Sequence, residues 1–98
     1  LAHGGHGCIS VTANVAPKPL SEMHEAWQRR DLDTVFTINE RLQPLHAALF
    51  CETSPGPVKY AAQLLGLCDG KTRLPIVEIA ETSKRRVADA MRQAGLLN

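Results

Sequence analysis

The hydrophobic pattern along the chain changes period once. From Gly4 to Val15 the run GGHGCISVTANV is small, β-branched and uncharged, and glycines introduce it. That composition predicts a buried strand over Gly7 to Val11. Ala16-Pro17-Lys18-Pro19 then breaks the chain, and beyond it apolar residues recur at helical spacing. Leu20, Met23, Ala26 and Trp27 predict an amphipathic helix to about Arg30, with Arg29 and Arg30 suited to its C-terminus. Asp31 is a candidate cap for a second helix over Leu32 to Phe50, in which Leu32, Val35, Phe36, Leu42, Leu45 and Leu49 recur at steps of three and four. Pro44 lies inside it and is expected to remove a backbone hydrogen bond and bend it. After the Thr53-Ser54-Pro55-Gly56-Pro57 loop, Pro57 suits the first turn of a third helix through Val58, Tyr60, Ala61, Leu64 and Leu65, and Gly66 suits its end. Cys68 to Thr72 read as a polar turn. A last helix capped by Thr82 or Ser83 presents Val87, Ala90, Met91 and Ala94 on one face and closes at Gly95.

One strand followed by four helices is an unbalanced inventory. An unpaired buried backbone group costs roughly 1 to 3 kcal/mol, and a strand therefore needs a ladder. No second segment of this chain supplies one, so the sequence reads as a fragment whose strand partners lie elsewhere. Leu1 in place of a start methionine fits that expectation, and no targeting segment is readable.

Composition narrows the class. At 98 residues, one small domain is the ceiling. Eleven basic and ten acidic residues give a net charge of +1, which makes no electrostatic case for nucleic acid or an anionic membrane. The longest uncharged stretch, Gly7 to Pro17, is far short of the roughly 20 apolar residues that span a bilayer. Cys8, Cys51 and Cys68 show no C-x-x-C spacing and are expected to be reduced thiols buried as small hydrophobes in a cytoplasmic protein.

The stretches GGHGCISVTANVA, INERLQPLHAALF, ETSPGPVKYAAQLLGL and TRLP, in that order, closely resemble the C-terminal third of bacterial dihydrodipicolinate synthase (4-hydroxy-tetrahydrodipicolinate synthase). The resemblance implies an α/β fold: the C-terminal fragment of a TIM (β/α)8 barrel, its last strand and helix in residues 1–30, followed by a three-helix extension in residues 31–98, so that this chain itself is mostly α. It implies a class I aldolase-type lyase of lysine biosynthesis that condenses pyruvate, held as a Schiff base on a lysine, with aspartate semialdehyde, a tyrosine relaying protons. Lysine and tyrosine fall upstream of Leu1, so no catalytic residue is expected here and the chain alone is expected to be inactive. One binding residue carries over: the backbone carbonyl of the isoleucine in the family's G-x-I-S motif, here Ile9, which contacts the keto acid. A carbonyl at the end of a barrel strand, where the ladder stops, is free to accept a hydrogen bond, so Ile9→Val is expected to disturb packing more than chemistry. No cofactor or metal is implied, the expected partners are the missing barrel segments, and the family is usually a homotetramer. Where the family usually has Asn-Pro, this chain has Ser54-Pro55 and lacks the side-chain amide.

Other readings compete for particular residues. Lys18 and Lys59 are the local candidates for an imine lysine, but polar surroundings and no neighbouring cation predict ordinary solvated amines. His3 and His6 have a metal-like spacing without an acidic or thiol ligand near them. His24 and His46 read as partly buried or surface groups, and Lys84-Arg85-Arg86 as a solvated helix end. A sister pyruvate-dependent aldolase of the sialic-acid lyase type shares the barrel, but the VTAN and PLH stretches favour the synthase. From another class, residues 76–97 resemble a helix-turn-helix, with Ile76 and Ile79 on a short first helix and a basic-fronted second one. Glu78, Glu81 and Asp89 offset its basic charge.

Overall fold

The computed structural model describes residues 1–98 and contains four α-helices, one short 3-10 turn and no strand. The helices are α1 (Pro17–Gln28), α2 (Leu32–Ala48), α3 (Gly56–Leu64) and α4 (Glu81–Gln93), and the 3-10 turn spans Thr12–Asn14. α2 is the centre: α1 packs on one side of it and α4 on another, α4 also packs on α3, and the 3-10 turn sits against α1 and α3.

The buried face of α2 is Ile38, Leu42, Leu45 and Ala48, with Leu49 just beyond. These positions follow the spacing of one helical face. Val15 and Ala16 from the turn, Val58 and Ala61 from α3, and Val87, Ala90, Met91 and Ala94 from α4 complete the core. The face expected on α4 is therefore the buried one. On α2 the expected stripe divides, because Leu32 and Phe36 point to solvent and Ile38 takes their place in the core. Pro44 lies on an exposed side of α2, and the helix passes through it without a break; the carbonyl of Glu40, which loses an amide partner, is left on the water-facing side.

Helix ends explain the remaining differences in boundaries. α1 begins at Pro17, three residues earlier than the Leu20 start expected, because first-turn amides have no helical partner and prolines there sacrifice nothing. Asp31 caps α2 as expected: the Thr34 amide donates to its Oδ1 at 3.2 Å and the Thr34 hydroxyl to its Oδ2 at 2.7 Å. Those bonds, the hydroxyl's first, hold the Asp31 carboxyl below its usual range. α4, by contrast, is not capped by Thr82 or Ser83, which lie inside its first turn. Its cap residue is Ala80, whose amide donates to Glu52 Oε2 at 2.8 Å, a carboxylate brought from the α2–α3 loop to the positive end of the helix.

Three helices end alike. In α3 the amides of Gly66 and Leu67 donate back to Gln63 and Ala62, and in α4 those of Gly95 and Leu96 donate to Arg92 and Met91. Both glycines have positive φ, as this closure requires. α1 makes the same closure with Arg30 at φ +59, its amide donating to Trp27 and that of Asp31 to Ala26. The Arg30 guanidinium lies 4.8 Å from the centroid of the Trp27 ring, an attraction that offsets part of the cost of a left-handed non-glycine residue.

The strand expected over Gly7 to Val11 does not form within this chain. Gly5 to Ile9 make no backbone hydrogen bond, Ile9 is fully exposed, and Val11 already has helical backbone angles as the chain enters the 3-10 turn. The reason is the missing ladder: nothing in these 98 residues lies beside the segment to pair with it. The cysteines also depart from expectation. All three are free thiols, but Cys8 and Cys68 are exposed and only Cys51 is half-buried.

Two substitutions test this packing by urea unfolding. Leu42→Ala is expected to lower the unfolding free energy by about 2–5 kcal/mol, and Phe36→Ala by no more than about 0.5 kcal/mol, although both belong to the apolar spacing of α2. At the end of α1, Arg30→Val is expected to destabilise by about 1–2 kcal/mol relative to Arg30→Gly, since only glycine adopts that backbone without strain.

Candidate functional site

The unpaired segment ends in a turn built largely from its own side chains. The Ser10 hydroxyl accepts from the Ala13 amide at 3.2 Å, and the Asn14 side-chain amide donates to the Val11 carbonyl at 3.0 Å. The Thr12 carbonyl accepts from the amides of Val15 and Ala16. Thr12 itself is 2% exposed, and its Oγ1 lies 2.6 Å from Nδ1 of His46 on α2. Burial pushes the His46 ring below the usual histidine range. It is therefore neutral at neutral pH, and its Nδ1 and the Thr12 hydroxyl share one hydrogen bond, whichever of the two carries the shared proton.

Ile9 lies three residues before this buried point and is the reverse of it in character: fully exposed, its carbonyl bonded to nothing in the chain. A free carbonyl next to a fixed turn is an acceptor available to a ligand or to a neighbouring strand.

The local alternatives occupy other places. Lys18 is exposed and 3.9 Å from Glu22. Lys59 donates to the carbonyl of Lys71, closing the loop after α3 onto that helix. His3 and His6 are exposed, His24 is half-buried, and no group of three or more His, Cys, Asp or Glu side chains is placed to hold a metal. The helix-turn-helix reading fails on its first helix: Ile76 to Ala80 are not helical, so α4 has no partner helix in front of it.

A concavity lies between α3, α4 and the loop joining them, about 810 Å3 and lined in part by Tyr60, Leu64, Leu74, Ile79 and Lys84. Of the two lysines lining it, Lys71 and Lys84, the second is already neutralised. Lys84 Nζ is 2.6 Å from Glu78 and 2.8 Å from Glu81, which hold the ammonium above the usual lysine range, and it stands 5.9 Å from the Tyr60 ring centroid. Sequence reasoning missed both this ion cluster and the Thr12 to His46 bond. The first had a local signal in the three-residue step from Glu81 to Lys84; the second, spanning 34 residues, had none.

Comparison with known proteins matches residues 1–94 to the model of the dihydrodipicolinate synthetase family. The chain is 54% identical over all its 98 residues to a 4-hydroxy-tetrahydrodipicolinate synthase of Gluconacetobacter diazotrophicus, and 55% identical over 97 residues to one of Parvibaculum lavamentivorans. It spans 33% of the length of each. Among solved structures it superposes on dihydrodipicolinate synthase of Thermotoga maritima with a TM-score of 0.93 at 38% identity, covering 98% of this chain and 32% of that one. On the Acinetobacter baumannii enzyme, solved with pyruvate, the TM-score is 0.89 at 40% identity, with 96% and 32% covered. A mostly helical chain with one unpaired extended segment is what a C-terminal fragment of such a barrel, with its helical extension, provides. The chain belongs to the dihydrodipicolinate synthetase family.

Proposed function

We propose that the intact protein containing this chain is a 4-hydroxy-tetrahydrodipicolinate synthase, which condenses pyruvate with aspartate semialdehyde through a lysine Schiff base in lysine biosynthesis. The observation that supports this most directly is identity above 50% to synthases along the whole chain. In this reading residues 1–30 finish the barrel and residues 31–98 form its helical extension. Gly7 to Val11, the strand expected from the sequence, pair as the last strand once the upstream strands are present, which turns a row of unbonded amides and carbonyls into a ladder. The Ile9 carbonyl, at the end of that strand, accepts a hydrogen bond from the keto acid or its bound water. The working enzyme is cytoplasmic and assembles as a homotetramer. For this chain, the structure adds only that no helix is long and apolar enough to cross a membrane.

The division of labour follows from chemistry. An imine lysine needs desolvation or a neighbouring cation to be nucleophilic at neutral pH. Lys18 is exposed and close to a carboxylate, and the Lys59 amine is bonded to a carbonyl, so neither meets that requirement. The chain alone is therefore inactive and contributes binding and support.

Reduction with borohydride in the presence of pyruvate tests this. The full-length protein is expected to retain pyruvate covalently on a lysine upstream of Leu1, and the isolated 98-residue chain to retain none. An adduct at Lys18 or Lys59, or no adduct on the full-length protein, overturns the proposal.

A further inference from the structure

We infer that His46 is a positioning residue for the keto-acid site: its hydrogen bond to the buried Thr12 hydroxyl fixes the turn that follows Ile9 against α2, and with it the placement of the Ile9 carbonyl. This rests on the role proposed above for that carbonyl.

The argument starts from what holds the turn. Every other hydrogen bond of Ser10 to Ala16 stays within the turn or passes to the first residues of α1. The bond from Thr12 Oγ1 to His46 Nδ1 alone ties it to a distant element. Apolar contacts hold both sides, through buried Val15 and Ala16 after the turn's hidden Thr12 and through half-buried Val11 before it. On the near side exposure rises from a buried Thr12 through half-buried Val11 and Ser10 to a fully exposed Ile9. Apolar packing is non-directional and tolerates sliding, whereas a hydrogen bond to a ring nitrogen has one direction and one length. The polar tie thus sets orientation where packing sets only proximity.

The His46 ring suits this task. Leu42, Leu45 and Leu49, around position 46 at the end of α2, are all fully buried. A side chain rooted there is held by rotamer and by neighbours, which is what a supporting residue for a ligand-binding backbone needs. Losing the hydroxyl leaves the half-buried ring nitrogen without its partner and releases the turn to drift, while no reacting group is touched.

The test is steady-state kinetics on the full-length protein with Thr12→Val, which is isosteric and leaves the helices packed, together with His46→Leu and His46→Asn. Thr12→Val and His46→Leu are expected to raise the KM for pyruvate about 3- to 10-fold, the cost of one positioning hydrogen bond, with kcat within about twofold of the parent. His46→Asn, whose side-chain oxygen falls near the lost Nδ1, is expected to bring the pyruvate KM back towards the parent value. In Thr12→Val the amides of Ala13 and Asn14 are expected to exchange with solvent faster than in the parent. A pyruvate KM unchanged in both Thr12→Val and His46→Leu, in a parent protein that traps pyruvate with borohydride, overturns the inference and leaves the proposed function standing. So does a fall in melting temperature and kcat with KM unchanged. A parent protein that fails to trap pyruvate overturns the proposed function and this inference with it.

Discussion

The structure depends on one apolar helix face. Ile38, Leu42, Leu45 and Ala48 of α2, continued by Leu49, are the surface on which α1, α4 and the residues after the 3-10 turn all come to rest. A small chain buries a modest fraction of its surface, so a shared face serves it better than several separate ones. One consequence is that α2 also fixes polar groups. Asp31 at its start closes the end of α1 and caps α2 at once, and His46 near its end holds Thr12. Packing first makes the helix rigid, and rigidity then gives its polar side chains a defined direction.

What was legible in the sequence divides along the range of the interaction concerned. The α4 face of Val87, Ala90, Met91 and Ala94 was readable because burial there follows helical period, and Asp31 was readable as a cap because its partner is three residues away. The cap of α4 was not, because Glu52 arrives from 28 residues upstream and no local pattern announces it. The same holds for Thr12 and His46. On α2 two overlapping stripes share the same spacing, one through Leu32 and Phe36 and one through Ile38, and only the tertiary arrangement of α1 and α4 decides which is buried. Pro17 and Pro19 read as breakers since proline disrupts helix interiors, yet in a first turn they cost nothing.

The expected strand is a different kind of difference, since the sequence evidence for it and the structure agree on its cause. Its composition is that of a paired, buried segment, and its observed state is unpaired and exposed. Both follow from one fact: a strand is a property of at least two segments. Ile9 shows this most plainly. A β-branched residue fully in water is no contradiction in a chain that spans a third of the length of its relatives. The Ser10 to Asn14 turn forms regardless, because its bonds are local, and so the chain retains the end of the strand without the strand.

That separation has a mechanical meaning for the site. A binding carbonyl at the end of a barrel strand is held from two directions, by the ladder on one side and by whatever anchors the following turn on the other. The ladder sets the strand's height along the barrel but leaves its last residue, where pairing stops, free to tilt. In this chain the one polar anchor of the turn comes from α2, a helix that the proposed reading places in the extension rather than in the barrel. A helical extension placed this way is more than a cover for apolar surface. On the reading proposed above, a single histidine would give a direction to the end of a strand that the ladder alone leaves loose.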